Sequence, residues 1–264
     1  MYNIVGELST INQNYGLVGF KQNDGYIFYG NLKLNHKYND VVLKNELYIS
    51  MFVPFTFPEE LPVVKDIEKK IDNQFHKNDN DVLCLACDTE MFLDLKSRQN
   101  VTICDFIERY LLPYLYSYTY NEKYGKVPFG DRSHGTLGII EFYKDYFELE
   151  DIIFVYRFLE YMALKKYRGH NLCLCGSGKK LRNCHGIKVI TLIKKVGIDN
   201  ILNDYNKCLE EINYYKHLKN KQRILEYKKM NQKKRLDYYL FPPKSPSPFE
   251  ISIPKFYERF IRKL

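Results

Sequence analysis

Residues 54–87 read PFTFPEELPVVKDIEKKIDNQFHKNDNDVLCLAC, and the fold turns on how this stretch is read. Pro54 ends a strand, because a proline has no N–H with which to continue a central ladder. Pro58 and Pro62 hold the residues before them extended and so frame a turn. VVKDIEKKI then suits either a strand or one helical turn. His76, Lys77 and Asn78 lead into a polar Asp/Asn loop, and VLCLAC sets Cys84 and Cys87 among aliphatic residues. The most economical place for a thiol in such a run is a buried strand. The same order of turn, polar loop and cysteine is also the layout of an active-site scaffold.

Upstream of this stretch, residues 1–14 predict a short opening helix. From Tyr15 the runs GLVGF, GYIFYG, LKLNH, VVL and ELYISMFVPF are separated by the turn-forming QNDG and KYND, which predicts an antiparallel meander. Downstream, MFLDL leads to a loop ending at Thr102, which has Asp105 three residues on and so predicts a capped helix start. The helix TICDFIERYLLPYLYSYTYNEKY places Ile103, Phe106, Ile107, Tyr110, Leu111 and Tyr114 on one side, with a kink expected at Pro113. The loop YGKVPFGDRSHGTLG follows; loops of this length either carry function or cross a surface. Its His134, beside Asp131, is a candidate for an additional catalytic or binding group, the alternative being a solvated loop histidine. IIEFYKDYF and DIIFVYRFLEYMALKKY are helical. Ile198, Ile201, Leu202, Tyr205, Leu209 and Ile212 repeat at helical spacing, with Cys208 on the same apolar face as a core thiol.

Composition bounds the class. A chain of 264 residues, 45% of them hydrophobic, with 24 Tyr, 17 Phe and no Trp, can bury an aromatic-rich core. No run approaches the roughly 18 apolar residues of a membrane span, and the first residues lack a basic segment followed by an apolar one, so a cytoplasmic protein with no membrane span is expected. Charge is unevenly placed. Residues 1–170 carry 19 Lys and Arg against 24 Asp and Glu, whereas 171–264 carry 21 against 8. The basic half suits nucleic acid or an acidic protein. Seven cysteines, an odd number with three beside a histidine, suit metal or thiol chemistry in a reducing compartment rather than a disulfide framework.

Residues 170–186, HNLCLCGSGKKLRNCHG, hold Cys173, Cys175, Cys184 and His185. Three thiolates and an imidazole are the ligand set of a closed, tetrahedral, structural Zn2+ site. Gly176 and Gly178 let the backbone turn around the ion, and Ser177 is placed to donate to a thiolate. GSGKK is not a phosphate loop, since it lacks the earlier glycine and the hydroxyl residue after the lysine. CLCGSGKKLRNCH resembles the small zinc-binding motif at the carboxy terminus of the preprotein translocase ATPase SecA. That motif recurs as an appended module in unrelated bacterial proteins, so the resemblance implies zinc and macromolecular docking without implying export.

The order of features from Tyr26 to Tyr114 resembles the catalytic domain of ubiquitin-conjugating enzymes, in a divergent bacterial form. The shared plan is a meander, a Pro-rich turn written FPEELP, a His-x-Asn element written His76-Lys77-Asn78, a polar loop, a cysteine within LCL, and a helix. The resemblance implies that Cys84 is the thioester-forming nucleophile, that Asn78 supports the oxyanion or the loop, and that His76 is structural. A thiolate attacks a thioester readily, and an amide N–H aimed at the developing oxyanion contributes roughly 3 kcal/mol. Lys77 departs from the family's middle proline, the loop before the cysteine is short, and the usual tryptophan after it is absent. Other readings of Cys84 stay open: an inactive relative used for binding, a core thiol, a second zinc site needing two more ligands, or a redox pair with Cys87. The last requires a helix N-terminus close behind and a βαβ setting, and the sequence predicts neither.

The expected fold is α+β, an antiparallel β-meander with flanking helices (ubiquitin-conjugating-like), followed by a small zinc module and a helical basic C-terminal region. The segments are 1–125 for the α+β domain, 126–169 for a helical extension, 170–187 for the zinc module, 188–240 for the basic helical region, and 241–264 for a Pro-rich linker with a terminal amphipathic helix begun by Pro254. Nine basic residues from Lys216 to Arg235 face one acid, Glu226, with Tyr215, Tyr227, Tyr238 and Tyr239 interleaved. They form a candidate surface for nucleic acid or an acidic protein, or a solvated helix face. The expected activity is that of a carrier enzyme. It takes a ubiquitin-like modifier from an activating enzyme as a thioester on Cys84 and passes it to an amine on an acceptor protein, as in bacterial conjugation and anti-phage systems. The alternative is a noncatalytic zinc-containing adaptor that binds protein or nucleic acid.

Overall fold

The alternation in GYIFYGNLKLNHKY and VVLKNELYISMFVP builds a longer hairpin than the separate runs suggest. The computed structural model, which describes residues 4–38, 40–72, 75–128 and 135–209, joins each pair of runs into one strand of 14 residues: β2, Gly25–Tyr38, and β3, Val41–Pro54. β1 (Leu17–Lys21) and β4 (Val63–Asp66) complete an antiparallel sheet in the order β1-β2-β3-β4. A period of two puts Phe28 opposite Met51, and Leu32 opposite Leu47, on one buried face. VVKD after the proline turn is therefore strand, not helix. The Phe57–Pro58 peptide is cis.

Helix α1 (Leu8–Tyr15) packs Ile11 and Tyr15 onto the sheet. Thr102 caps α3 (Ile103–Phe106) as the sequence predicts: its Oγ1 accepts from Asp105 N at 3.1 Å, and Asp105 Oδ2 accepts from Thr102 N at 2.8 Å. Pro113 then acts otherwise than expected. Between α3 and α4 (Leu112–Tyr124), residues Ile107–Leu111 are wound as π-helix. Proline clashes with the carbonyl four residues back, and a wider turn at that place accommodates it. Ile103, Phe106, Ile107, Leu111 and Tyr114 are buried against the sheet.

Helix α2 (Asp88–Leu95) lies between this core and a second one, sending Met91 and Leu95 into the first and Phe92 into the second. The second core is made by α5 (Gly135–Phe147), α6 (Ile152–Leu164), α7 (Gly186–Val196) and a helix over 198–209, here α8. Phe147 and Phe158 stack at 4.2 Å in its centre. Ile201, Tyr205 and Cys208 are buried as expected, but Ile198 is half exposed at the start of α8. Met1–Glu210 form one compact unit. The basic region beyond 209, the Pro-rich linker and terminal helix, Ile212, Asp131 and His134 lie outside the described residues. Among the described residues no helix is long and apolar enough to cross a membrane.

Asp94 ties α2 to the π-turn. Its carboxylate accepts from Arg98 Nη2 at 2.8 Å, Arg109 Nε at 2.7 Å and the Tyr110 hydroxyl at 2.8 Å. Burial opposes its ionisation, but the hydrogen bonds from Arg98, Arg109 and Tyr110 outweigh burial and hold Asp94 down at about 2. A carboxyl whose pKa is lower folded than unfolded stabilises the fold above the unfolded value, near 4, and loses that contribution as pH falls toward 2. Asp94→Asn is expected to cost roughly 1–2 kcal/mol at neutral pH, discounted for the partly exposed arginines. The gap between the two denaturant midpoints should narrow by roughly half on going from pH 7 to pH 3. A gap that stays constant with pH would show that charge is not the cause.

Candidate metal centre

The metal centre begins in a tight hairpin. Cys173 N donates to Lys179 O at 2.7 Å and Gly176 N to Cys173 O at 3.2 Å, so the chain reverses between two ligands and the third. Gly176 and Gly178 take φ of 78° and 73° at the reversal, the left-handed region that glycine adopts without strain. A 3-10 turn, Leu181–Asn183, drives Leu181 fully into the second core and delivers Cys184 and His185 to the start of α7. Gly186 is needed there for a reason the sequence did not disclose. A Cβ on it would stand 2.5 Å from the Tyr167 hydroxyl and 2.8 Å from Leu181 O.

All four predicted ligands come together. Cys173 Sγ, Cys175 Sγ, Cys184 Sγ and one nitrogen of His185 lie within 4.8 Å of one another. His185 Nδ1 is 3.3 Å from Cys173 Sγ and 3.2 Å from Cys184 Sγ, and Cys175 Sγ is 3.7 Å from Cys184 Sγ. Donor bonds of about 2.3 Å to sulfur and 2.1 Å to nitrogen imply tetrahedral edges of roughly 3.6–3.8 Å, close to these separations. His185 Nε2 meets Phe147 O at 2.9 Å; a carbonyl only accepts, so Nε2 carries the proton and Nδ1 presents its lone pair to the thiols. Phe147 and Phe158 stand edge-on to the ring and fix its plane. Ser177 Oγ reaches Cys184 Sγ at 3.5 Å. Burial raises the Cys173 thiol. At Cys175 burial is outweighed by hydrogen bonds from Ser177 and the neighbouring thiols, and the net shift is downward. The donor set, spacing and outer partner fit structural zinc with no open position.

The second predicted site lies around Cys84. Residues 76–84 fold into a narrow loop closed by bridges. Asn78 N donates to Val82 O and Cys84 N to His76 O, each at 2.7 Å, Lys77 pairs with Leu83, and Leu83 N donates to Val64 O at 2.9 Å. This stitches VLC to β4. Tyr114 of α4 donates to the Phe75 and His76 carbonyls at 3.3 and 3.2 Å. His76 sits at φ 35°, its carbonyl turned to the Cys84 amide, and its ring stands edge-on to Phe75. Asn78 is exposed beside the 3-10 turn Asp79–Asp81 and leaves that turn without a side-chain cap.

Cys84 itself is half-buried. Burial raises its thiol pKa, Asp88 adds to the rise, and Lys207 of α8 pulls it partly back. The expectation that no helix follows is corrected: α2 starts at Asp88 with Cys87 as its cap residue. MFLDL reads as a short apolar run, and its helical start is hidden because Cys87 is not a capping type. The helix end does not make a reactive thiol, since burial and then Asp204 push Cys87 up to about 12. Asp204 was also missed. It is buried on α8, accepting from Thr89 Oγ1 and from the Tyr143 hydroxyl at 3.0 Å, with its pKa raised by burial against those two bonds. One signal was available: a carboxylate at 204 lies on the apolar face that Ile201, Tyr205 and Cys208 define.

Residues 171–187 match the SEC-C motif, a zinc-binding module, and with the three-cysteine, one-histidine cluster this makes zinc the cofactor of the chain. No curated protein and no solved structure matches it.

Proposed function

We propose that the chain is a ubiquitin-conjugating-type carrier whose acyl-bearing residue is Cys84. The observation that carries this reading is the placement of Cys84. It stands at the exit of a backbone-stitched loop, one turn of chain ahead of the Cys87 cap of α2, after an α1-β1-β2-β3-β4 order and a Pro-framed turn. In the loading step the Cys84 thiolate attacks the thioester carbonyl of a modifier held on its activating enzyme; the new C–S bond forms as the old one breaks, and the activating enzyme's thiolate leaves. In the second step an amine attacks the same carbonyl, Cys84 leaves as thiolate and takes up the proton the amine gives up. A thiol whose pKa is raised stays protonated toward stray electrophiles until a docked partner takes its proton. The zinc module and the basic C-terminal half then hold the carrier on its partner.

The test is a covalent adduct. Tagged parent and Cys84→Ser chains are expressed in the native host and run on gels with and without reductant. The expected result is a parent band shift that thiol removes and a serine-variant shift that it does not, because an oxygen ester resists thiol exchange. Absence of either shift while the activating partner is present would favour the noncatalytic adaptor, for which the high thiol pKa values and the Lys77 departure speak.

A further inference from the structure

We infer that the zinc hairpin is a binding surface for the phosphodiester backbone of nucleic acid, formed by Arg168, Lys179, Lys180 and Arg182 with Lys166 and His170 beside them. From Tyr161 to Ile198 the chain carries nine Lys and Arg and no Asp or Glu. Some of these cations have local work: Lys165 pairs with Glu160 at 3.4 Å, Lys188 with Glu148 at 2.8 Å, and Lys195 donates to Lys96 O. Lys166, Arg168, Lys179, Lys180 and Arg182 are exposed and have no ion pair among the described residues.

The hairpin gathers them. Leu172 bridges Lys180, Arg182 N donates to Gly169 O at 3.0 Å, and Leu181 N donates to Asn171 O at 2.8 Å, so the arms 168–173 and 179–182 run side by side. Leu181 is buried in the second core, and its neighbours Lys180 and Arg182 are exposed. The bridge and the two backbone bonds hold Arg168, Lys179, Lys180 and Arg182 together on this one hairpin.

The metal does not account for the charge. Zinc with three thiolates and a neutral imidazole carries one negative charge, which one of these cations would offset. The remainder repel one another within a small module, a cost that a polyanion removes. Protein–nucleic acid interfaces are far more positive than protein–protein ones, and a stretch whose own residues from Tyr161 to Ile198 include no acid is of the first kind. This reading does not depend on Cys84 chemistry.

The experiment measures full-length chain binding to a fluorescein-labelled 20-nucleotide oligo(U), a 20-base-pair DNA duplex, and a labelled polyglutamate, across a salt series. A variant carrying Arg168→Gln, Lys179→Gln, Lys180→Gln and Arg182→Gln is compared with the parent and with a charge-conserving variant (Arg168→Lys, Lys179→Arg, Lys180→Arg, Arg182→Lys), all matched for zinc content. Four phosphate contacts predict a slope of log affinity against log salt less steep by about 3 in the glutamine variant, and a loss of affinity of at least tenfold, kept near parent in the charge-conserving one. The better of the two nucleic-acid probes identifies the form. Equal affinity and slope in parent and glutamine variant would overturn the inference, as would tighter binding of polyglutamate than of either oligonucleotide, which would make the ligand an acidic protein.

Discussion

Chains carrying Cys173→Ser together with Cys175→Ser are expected to lose their zinc, about one per chain in the parent, and with it the order of the second core. The module does not sit on the fold as an ornament. Leu181, between the second and third cysteines, is fully buried among Val189, Leu192 and the aromatic residues of α5 and α6. His185, a ligand, is hydrogen-bonded to Phe147, which stacks on Phe158. The ion therefore fixes where α7 starts. Structural zinc sites contribute on the order of 10 kcal/mol in isolated fingers, and each kcal/mol shifts melting by roughly 2–4 °C in a unit this size. A fall of roughly 20 °C or more is expected, in the double variant and in parent treated with a strong chelator. Thiolates must lose their protons to bind, so zinc retention should also fall as pH is lowered. Metal analysis showing zinc in the double variant, or melting unmoved by chelation, would remove the ion from the architecture.

The sequence made some parts of this molecule legible and hid others, for physical reasons. The four ligands were readable because a closed zinc site needs its donors within a short span, and only cysteine and histidine supply them. The capped start of α3 was readable because Thr102 and Asp105 satisfy each other's orphan groups. The meander was readable through its period of two, but two runs were split that the structure joins: β2 continues through Gly30 and Asn31, and β3 through Lys44 and Asn45. Polar residues interrupt a pattern without interrupting a ladder, since backbone pairing needs no side chain. The network of Thr89, Tyr143 and Asp204 was not found, because its members are 54 and 61 residues apart in sequence and only tertiary packing brings them together. The Pro113 region was half readable: proline announces a disturbance, and the wider turn is one of two ways to absorb it.

The buried cation beneath the Cys84 loop is where a single substitution should do the most harm to that site. Lys77 has a side chain only 3% exposed; its Nζ donates to Ile71 O at 2.7 Å and stands 3.3 Å from Asp81 Oδ1 and 3.9 Å from Asp66 Oδ2. Asp66 is 1% exposed and accepts from Ile71 N at 2.8 Å, while its other oxygen has no hydrogen-bond partner among the described residues. Lys77→Ala would leave that carboxylate buried without its nearest cation, which costs about 3–5 kcal/mol when one partner of a buried pair is deleted. Lys77→Met with Asp66→Asn is expected to recover most of the loss. The amide keeps an acceptor for the Ile71 N–H, and methionine fills the volume of the lysine stem. Because Lys77 pairs with Leu83 and Cys84 N is held by His76, the damage should appear locally as well. Alkylation of Cys84 by a neutral maleimide should run at least tenfold faster in Lys77→Ala and near the parent rate in the double variant. A melting loss with unchanged Cys84 reactivity would show that Lys77 supports the fold without governing the loop. A loss under 1 kcal/mol would mean that the pair contributes no more than a surface ion pair does.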